Sequence, residues 1–159
     1  MNTIALHKIT SIRTQLIDNL KIWGIIKPLQ IIFDSTISIK ELKNSPEGTV
    51  GRDLYLLLKN HNYKLIPKFE NHDLKHLILG YDMHTIDEIR MQMFLLGNGN
   101  QTLPVLLFAL SGVLFPEHWT QFQRDFDRGL RSPTLEGCSI DTLKGFNTKT
   151  LKKKFSKNA

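Results

Sequence analysis

The sequence predicts an all-α fold, a single-domain bundle of about six helices. Three observations support this prediction. Apolar residues recur at helical spacing in successive segments, and no segment alternates apolar and polar residues as a half-buried strand would. Proline, glycine and capping residues separate these segments. A chain of 159 residues, of which 41% are hydrophobic and 23% charged, has the size and composition of one globular domain.

Each predicted helix is bounded by residues that favour a helix start or end. Asn71 and Thr102 are suitable N-caps, and Gly80 is a suitable end because glycine readily adopts the left-handed conformation. A short helix capped by Ser38 and another near Asp141 are also predicted. The six longer predicted helices cover residues 10–23, 52–59, 72–79, 86–96, 103–115 and 117–130.

The longest apolar stretch runs from Leu103 to Phe115. A membrane-spanning helix needs ~20 apolar residues, so this shorter stretch predicts a helix buried in the protein core. The chain starts without the continuous apolar segment of a secretory signal. Its one cysteine, Cys138, cannot form an internal disulfide and suits a reducing compartment.

Positive charge is concentrated near the C-terminus. The chain has a net charge of +6, and residues 145–159 contain five lysines and no acidic residue. Such a segment suits an anionic partner, such as a membrane surface, a nucleic acid or an acidic protein. It is equally typical of a solvated, frayed end. We therefore divide the sequence into a helical domain of residues 1–144 and a basic tail of residues 145–159.

Metal-ligand side chains cluster at the predicted helix of residues 72–79. Each helical residue turns by ~100°, so that His72, Asp73 and His76 fall within ~100° of arc. Histidines four positions apart stack on one face, as zinc-binding pairs do. If the next helix returns antiparallel, Glu88 lies one turn inside it, at about the level of His76. Two histidines and two carboxylates would suit zinc, iron(II) or manganese.

Each of these residues also has an alternative structural role. Thr85 and Glu88 have the spacing of a capping box, in which the glutamate binds the backbone at a helix start. Asp73 lies in a first turn, where a carboxylate complements the helix dipole. The histidines could be ordinary surface residues, and His84 could be either an auxiliary ligand or solvated. The presence of all four residues together favours the metal site.

The sequence lacks the motifs of several other catalytic and binding sites. The motif starting at His72 differs from the zinc-protease H-E-x-x-H, because Asp73 is one methylene shorter than glutamate. Residues 97–100, Gly-Asn-Gly-Asn, lack the Lys-Ser/Thr that follows in a phosphate-binding loop. The sequence has no Gly-x-Ser-x-Gly motif. No element interleaves basic and aromatic residues, so a nucleic-acid partner is not expected.

The motif from His72 to Glu88, H-D-x-x-H-x(11)-E, resembles the signature of the ubiquinone (coenzyme Q) biosynthesis family Coq-four. Two further segments agree with the resemblance. Residues 48–52, Gly-Thr-Val-Gly-Arg, resemble the family's Gly-Thr-x-Gly-Arg segment, and residues 102–104 resemble its Gly-Leu-Pro stretch. The resemblance covers residues 46–116.

The resemblance implies a metal-dependent protein that acts on a polyprenylated aromatic quinone precursor. The implied reaction removes the carboxylate at ring carbon one, with hydroxylation there, so that a decarboxylase or hydroxylase activity is expected. The implied cofactor is a divalent metal, zinc first and iron or manganese as alternatives, and Arg52 is an expected contact to a prenyl or phosphate group. The implied metal ligands are His72, Asp73, His76 and Glu88.

The resemblance also implies a protein that organises other quinone-biosynthesis proteins at the membrane. An alternative is a non-catalytic module that binds a prenyl lipid or quinone there, with helices 103–115 and 117–130 around the isoprenoid tail. We expect a location on the cytoplasmic side, peripheral to the inner face of an anionic membrane, because the chain leaves little room for a transit peptide. We also expect that the protein forms a homo-oligomer.

The sequence departs from the family pattern at three places. Residues 81–85, Tyr-Asp-Met-His-Thr, replace the usual Gly-x-Pro-Thr before Glu88. Residues 92–94, Gln-Met-Phe, replace Trp-Phe-Glu, and the chain ends in lysines rather than aromatic residues. The expected ligands are intact, and the substrate could be another prenyl lipid or another quinone.

Overall fold

The computed structural model describes residues 3–21, 37–67 and 69–156. Within these ranges the chain is helical and contains no strand, which confirms the all-α prediction. The described residues form nine α-helices rather than about six, because short helices join the longer ones. The helices are α1 (Thr3–Lys21), α2 (Ile39–Lys43), α3 (Val50–Asn60), α4 (Glu70–Leu79), α5 (Thr85–Gly97), α6 (Leu103–Ser111), α7 (Trp119–Arg131), α8 (Ile140–Leu143) and α9 (Thr148–Ser156).

The helices belong to two compact units. The first unit consists of the described residues of Met1–Pro28 and His84–Leu130, and the second of those of Leu29–Met83 and Arg131–Ala159. Helices α1, α5 and α6 and nearly all of α7 therefore lie in the first unit. The second unit contains α2, α3, α4, α8 and α9.

The first unit is built around α5, which contacts α1 and α6. Arg90 of α5 donates from Nε to Oδ2 of Asp125 on α7 at 2.8 Å, and from Nη1 to Oδ1 of Asp87 at 2.7 Å. Two short 3-10 turns, Gly112–Leu114 and Pro116–His118, connect α6 to α7. A cluster of buried apolar residues in the core of this unit consists of Ile17, Ile89, Phe108, Phe115 and Phe122.

Helices α5 and α7 approach one another at two glycines. A Cβ atom added to Gly97 of α5 would lie 2.1 Å from the carbonyl oxygen of Phe126. A Cβ atom added to Gly129 of α7 would lie 2.1 Å from the carbonyl oxygen of Phe94. Real side chains cannot make such contacts, so the backbones can approach this closely only because both positions are glycine.

The second unit is built around α4, which contacts α3, α8 and α9. The start of α3 is tied to the segment before α9, since the amide of Val50 donates to the carbonyl of Phe146 at 2.9 Å. The amide of Gly51 donates to the carbonyl of Lys144, also at 2.9 Å. Backbone groups at the start of α3 therefore find partners that are distant in sequence.

Two of the predicted helix starts are wrong. Helix α1 begins at Thr3 rather than near residue 10, and the predicted end at Trp23 lies outside the described residues. Helix α4 begins at Glu70, with Phe69 rather than Asn71 at the N-cap position. Asn71 lies inside α4, and its Oδ1 accepts a hydrogen bond of 2.8 Å from the amide of Ile140. A tertiary partner has therefore replaced the local capping interaction.

The expected basic tail is helical over most of its length. Helix α9 occupies Thr148–Ser156 and packs on α4, with the ring of Phe155 only 3% exposed. Lys149, Lys152 and Lys154 are exposed. The described part of this segment is therefore not a frayed end, whereas the domain boundary at residue 144 stays a prediction.

The prediction that α6 is a buried helix is wrong. Val105 and Phe108 are buried, but Leu103, Leu107 and Leu110 are 67%, 54% and 66% exposed. Helix α6 is apolar around its whole circumference, and only one side of it is packed. Hydrophobicity alone predicted that all sides would be covered, because it shows which residues favour burial and not which sides have a neighbour.

The apolar residues Ile12, Leu16, Leu20 and Trp23 recur at helical spacing and predict the packed face of α1. Ile12 and Leu16 are nevertheless exposed, and the core residue of α1 is Ile17. No single described helix is long and apolar enough to cross a membrane. The segments Leu103–Leu114 and Pro116–Arg131 together have sufficient length and composition, but they are bent by 104° relative to each other.

Candidate metal centre

The candidate site begins with the two histidines of α4. The first turn of this helix forms because the carbonyl of Phe69 accepts from the amides of His72, at 2.9 Å, and Asp73, at 3.0 Å. The last turn ends at Gly80, which has a φ of 76° in the left-handed region, as its predicted role requires. His72 and His76 therefore lie one turn apart on a helix with well-defined ends.

The imidazoles of His72 and His76 lie next to each other, as their spacing predicts. Their ring centroids are 4.9 Å apart, with an angle of 61° between the ring planes. The ring of Phe69 lies against His72, with the centroids 4.5 Å apart. His76 is buried, and the side chain of His72 is 19% exposed. Burial strengthens the interaction of these nitrogens with any cation, because water screens it less.

Glu88 lies in the first turn of α5 and is buried. Its Oε1 accepts a hydrogen bond of 2.7 Å from Nε2 of Gln92, which is also buried. The capping-box alternative is not the arrangement observed, because His84 rather than Thr85 is the N-cap residue of α5. The hydroxyl of Thr85 donates instead to Oδ1 of Asp18 at 2.7 Å.

His72, His76 and Glu88 form a group that could hold a metal ion. Each offers one ligand atom, and these atoms lie within 4.8 Å of one another. Two imidazole nitrogens and a carboxylate oxygen fit a divalent transition metal. This donor set is compatible with zinc, iron(II) and manganese alike.

Asp73, the fourth predicted ligand, is outside this group of three. Its carboxylate is buried, and its Oδ1 lies 3.6 Å from Nδ1 of His72. A carboxylate next to a ligand histidine can set the orientation and basicity of the imidazole. A direct bond from Asp73 to a metal stays a prediction.

Two other predicted site residues have structural contacts. Nη1 of Arg52 donates to the carbonyl of Lys43, and its guanidinium lies 5.5 Å from the ring centroid of Tyr55. A contact of Arg52 with a prenyl or phosphate group stays a prediction. His84, the suggested auxiliary ligand, is exposed at the N-cap of α5.

The sequence analysis did not identify two polar residues near these ligands, the buried Gln92 and the partly buried Lys75. Gln92 follows Glu88 by four positions, a spacing that places both side chains on one helix face and could have indicated their hydrogen bond. Lys75 lies beside His76 in α4. Burial lowers the pKa of the Lys75 ammonium group below its usual range, and the nearby Cys138 acts in the opposite direction.

The fold is similar to a solved structure. That structure is a crystal structure of a protein from Nostoc punctiforme that is provisionally assigned to ubiquinone biosynthesis. The TM-score is 0.55 and the sequence identity 22%, over 92% of this chain and 82% of the other. No family model matches the chain, and no curated protein matches its sequence. At this level of identity the similarity shows a shared fold alone.

Proposed function

We propose that this protein takes part in ubiquinone biosynthesis and acts, with a bound metal, on a polyprenylated aromatic precursor. The observation that carries the proposal is the group of His72, His76 and Glu88, whose ligand atoms lie within 4.8 Å of one another. The fold shared with the Nostoc punctiforme protein and the H-D-x-x-H-x(11)-E motif both support this pathway. The cofactor is a divalent metal, with zinc, iron and manganese as the candidates.

The donor set suits catalysis better than a purely structural role. Structural zinc sites use four protein ligands, whereas catalytic sites keep a position open for water or substrate. Two histidines and one carboxylate are also the ligand set of iron(II) oxygenases. When bound, such a metal supplies Lewis acidity, and iron adds the ability to react with dioxygen.

The proposed reaction is oxidative decarboxylation at ring carbon one. The carbon–carbon bond to the carboxylate breaks and carbon dioxide leaves, and a carbon–oxygen bond forms at the same ring carbon. Dioxygen supplies the hydroxyl oxygen, and a two-electron reductant converts its second oxygen atom to water. The chain contributes buried ligands, with His76 and Glu88 shielded from water and Glu88 held by Gln92.

Deletion of the gene in the source organism tests the pathway. We expect ubiquinone to fall and a precursor that still carries its ring carboxylate to accumulate in lipid extracts. The wild-type gene and a His84→Ala variant should restore the quinone, because His84 is exposed and outside the group of three. Variants His76→Ala and Glu88→Gln should not restore it. An unchanged quinone profile in the deletion strain would refute the proposed function.

Elemental analysis of protein purified without a histidine tag tests the metal separately. We expect about one zinc, iron or manganese ion per chain, since each of the three residues offers one ligand atom to a single ion. The His76→Ala and Glu88→Gln variants should lose most of it. Absence of metal from the wild-type protein, with none taken up when the three ions are added, would rule out the metal centre.

A second candidate function is a non-catalytic module that binds a prenyl lipid. The exposed leucines of α6 favour it, because such side chains can cover an isoprenoid chain. Lipid extraction followed by mass spectrometry separates the two functions. A co-purified prenyl lipid, without turnover of any carboxylated precursor, supports the binding module.

A further inference from the structure

Helix α6 has an exposed apolar face opposite its packed one. At ~100° per residue, the four exposed leucines of α6 fall within ~100° of arc. The two buried residues of this helix, Val105 and Phe108, lie on the other side. The exposed face continues past the helix into the following 3-10 turn, where Val113 and Leu114 are exposed as well. The exposed leucines are Leu103, Leu106, Leu107 and Leu110.

Charged side chains are absent from this part of the sequence. Residues 91–116 contain no aspartate, glutamate, lysine, arginine or histidine. A helix on a water-facing surface normally carries polar residues on its outer side. A large exposed apolar face on such a helix therefore indicates a surface that contacts something other than water.

The composition and charge of the protein favour a lipid bilayer over a second copy of the chain. The face consists of leucine and valine, whereas the cores of protein interfaces are enriched in aromatic residues, methionine and arginine. The net charge of +6 makes two copies repel each other. The same charge attracts the protein to a bilayer that contains anionic lipid.

We propose that the exposed face of α6 inserts into the surface of an anionic lipid bilayer. Its leucines then lie among the acyl chains at the headgroup boundary, with the helix in the plane of the membrane. The positive net charge brings the protein to the bilayer, and the apolar face holds it there. Binding of this face to a bilayer does not require the metal centre. The proposal therefore holds even if the proposed reaction is wrong.

Trp119 provides a reporter close to this face. Its ring is 52% exposed, and its Nε1 donates to the carbonyl of Gly112, just after α6, at 3.0 Å. The chain contains two tryptophans, so a Trp23→Phe variant leaves Trp119 as the single source of tryptophan fluorescence. Indole emission shifts to shorter wavelength when water around the ring is replaced by lipid.

Vesicle sedimentation and Trp119 fluorescence test the proposal. The probes are vesicles of phosphatidylcholine, with and without phosphatidylglycerol. Leu107→Gln with Leu110→Gln removes apolar surface while keeping the net charge and a good helix former at each position. The matched control is Ile39→Gln with Leu56→Gln, two exposed apolar residues of other helices. Circular dichroism checks that both variants fold.

We expect the full-length protein to bind the vesicles that contain phosphatidylglycerol, with a shift of Trp119 emission to shorter wavelength. The α6 variant should bind ~10-fold more weakly or worse, because it lacks two leucine side chains that the wild type buries in the bilayer. The control variant should bind as the wild type does. Equal binding by the α6 variant and the wild type would overturn the proposal. So would absence of wild-type binding, or a wild-type dimer that the α6 variant converts to monomer.

Discussion

Nε2 of Gln92 donates a hydrogen bond of 2.7 Å to Oε1 of Glu88, and both side chains are buried on the same face of α5. A carboxylate that is held by a neighbouring amide has fewer orientations available to it. If Glu88 is a metal ligand, Gln92 positions it for binding without touching the metal.

Replacement of Gln92 by leucine should weaken metal binding ~10- to 100-fold, the range typical for loss of a residue that supports a ligand. Competition with a chromophoric chelator measures the affinity for zinc or cobalt(II). Gln123→Leu, at an exposed position of α7, is the control and should bind as the wild type does. An unchanged affinity in a folded Gln92→Leu variant would show that the hydrogen bond does not position Glu88.

Replacement of Gly97 by alanine should destabilise the protein by ~1–3 kcal/mol, because the new methyl group would collide with the backbone of α7. Urea denaturation measures the free energy of unfolding. Gly145→Ala is a matched control, since no atom lies within 4 Å of an added Cβ there and its φ is not in the left-handed region. Equal stability of the two variants would contradict the close approach of α5 and α7.

Phe155→Ala should lower the free energy of unfolding by ~3–5 kcal/mol, the usual cost of removing a buried phenylalanine ring. The control is Lys152→Ala in the same helix, an exposed position where ~0.5 kcal/mol or less is expected. Thermal or urea unfolding gives both values. If Phe155→Ala were as stable as the wild type, the ring would not be buried in solution and the segment would be a frayed end.

The exposed lysines of α9 should promote binding to anionic membranes. Each lysine near such a surface contributes ~1 kcal/mol at most, so that replacing Lys149, Lys152 and Lys154 by glutamine should weaken binding measurably. Truncation after Phe146 is a poor test, because it also removes the buried ring of Phe155. Vesicle sedimentation in low and high salt measures the binding of this variant and of the wild type to anionic vesicles.

The effect of the lysines should diminish as the Debye length falls from ~10 Å at 0.1 M salt to ~3 Å at 1 M. A matched control replaces the exposed lysines Lys40, Lys43 and Lys59, which changes the net charge equally but leaves α9 intact. Equal binding by the α9 variant and the wild type, or binding that ignores salt, would show that α9 does not contact the membrane.

Features that depend on neighbouring residues along the chain could be predicted from the sequence. They are the helical class, the end of α4 at Gly80 and the capping of α2 by Ser38, whose side chain accepts from the amide of Glu41. The sequence also placed His72 and His76 on one face, because a spacing of four residues matches one helical turn. Local spacing and backbone conformation suffice for these features.

Which apolar surfaces are covered, and which side chains meet, depends on how the whole chain packs and could not be predicted from local sequence. Leu107 and Phe108 are similarly apolar, yet one is exposed and the other is a core residue. The lysine-rich segment is predicted to be a tail from its charge, but the burial of Phe155 shows that it contains a packed helix. Burial depends on neighbours far away in sequence, and their positions are fixed only when the whole chain packs.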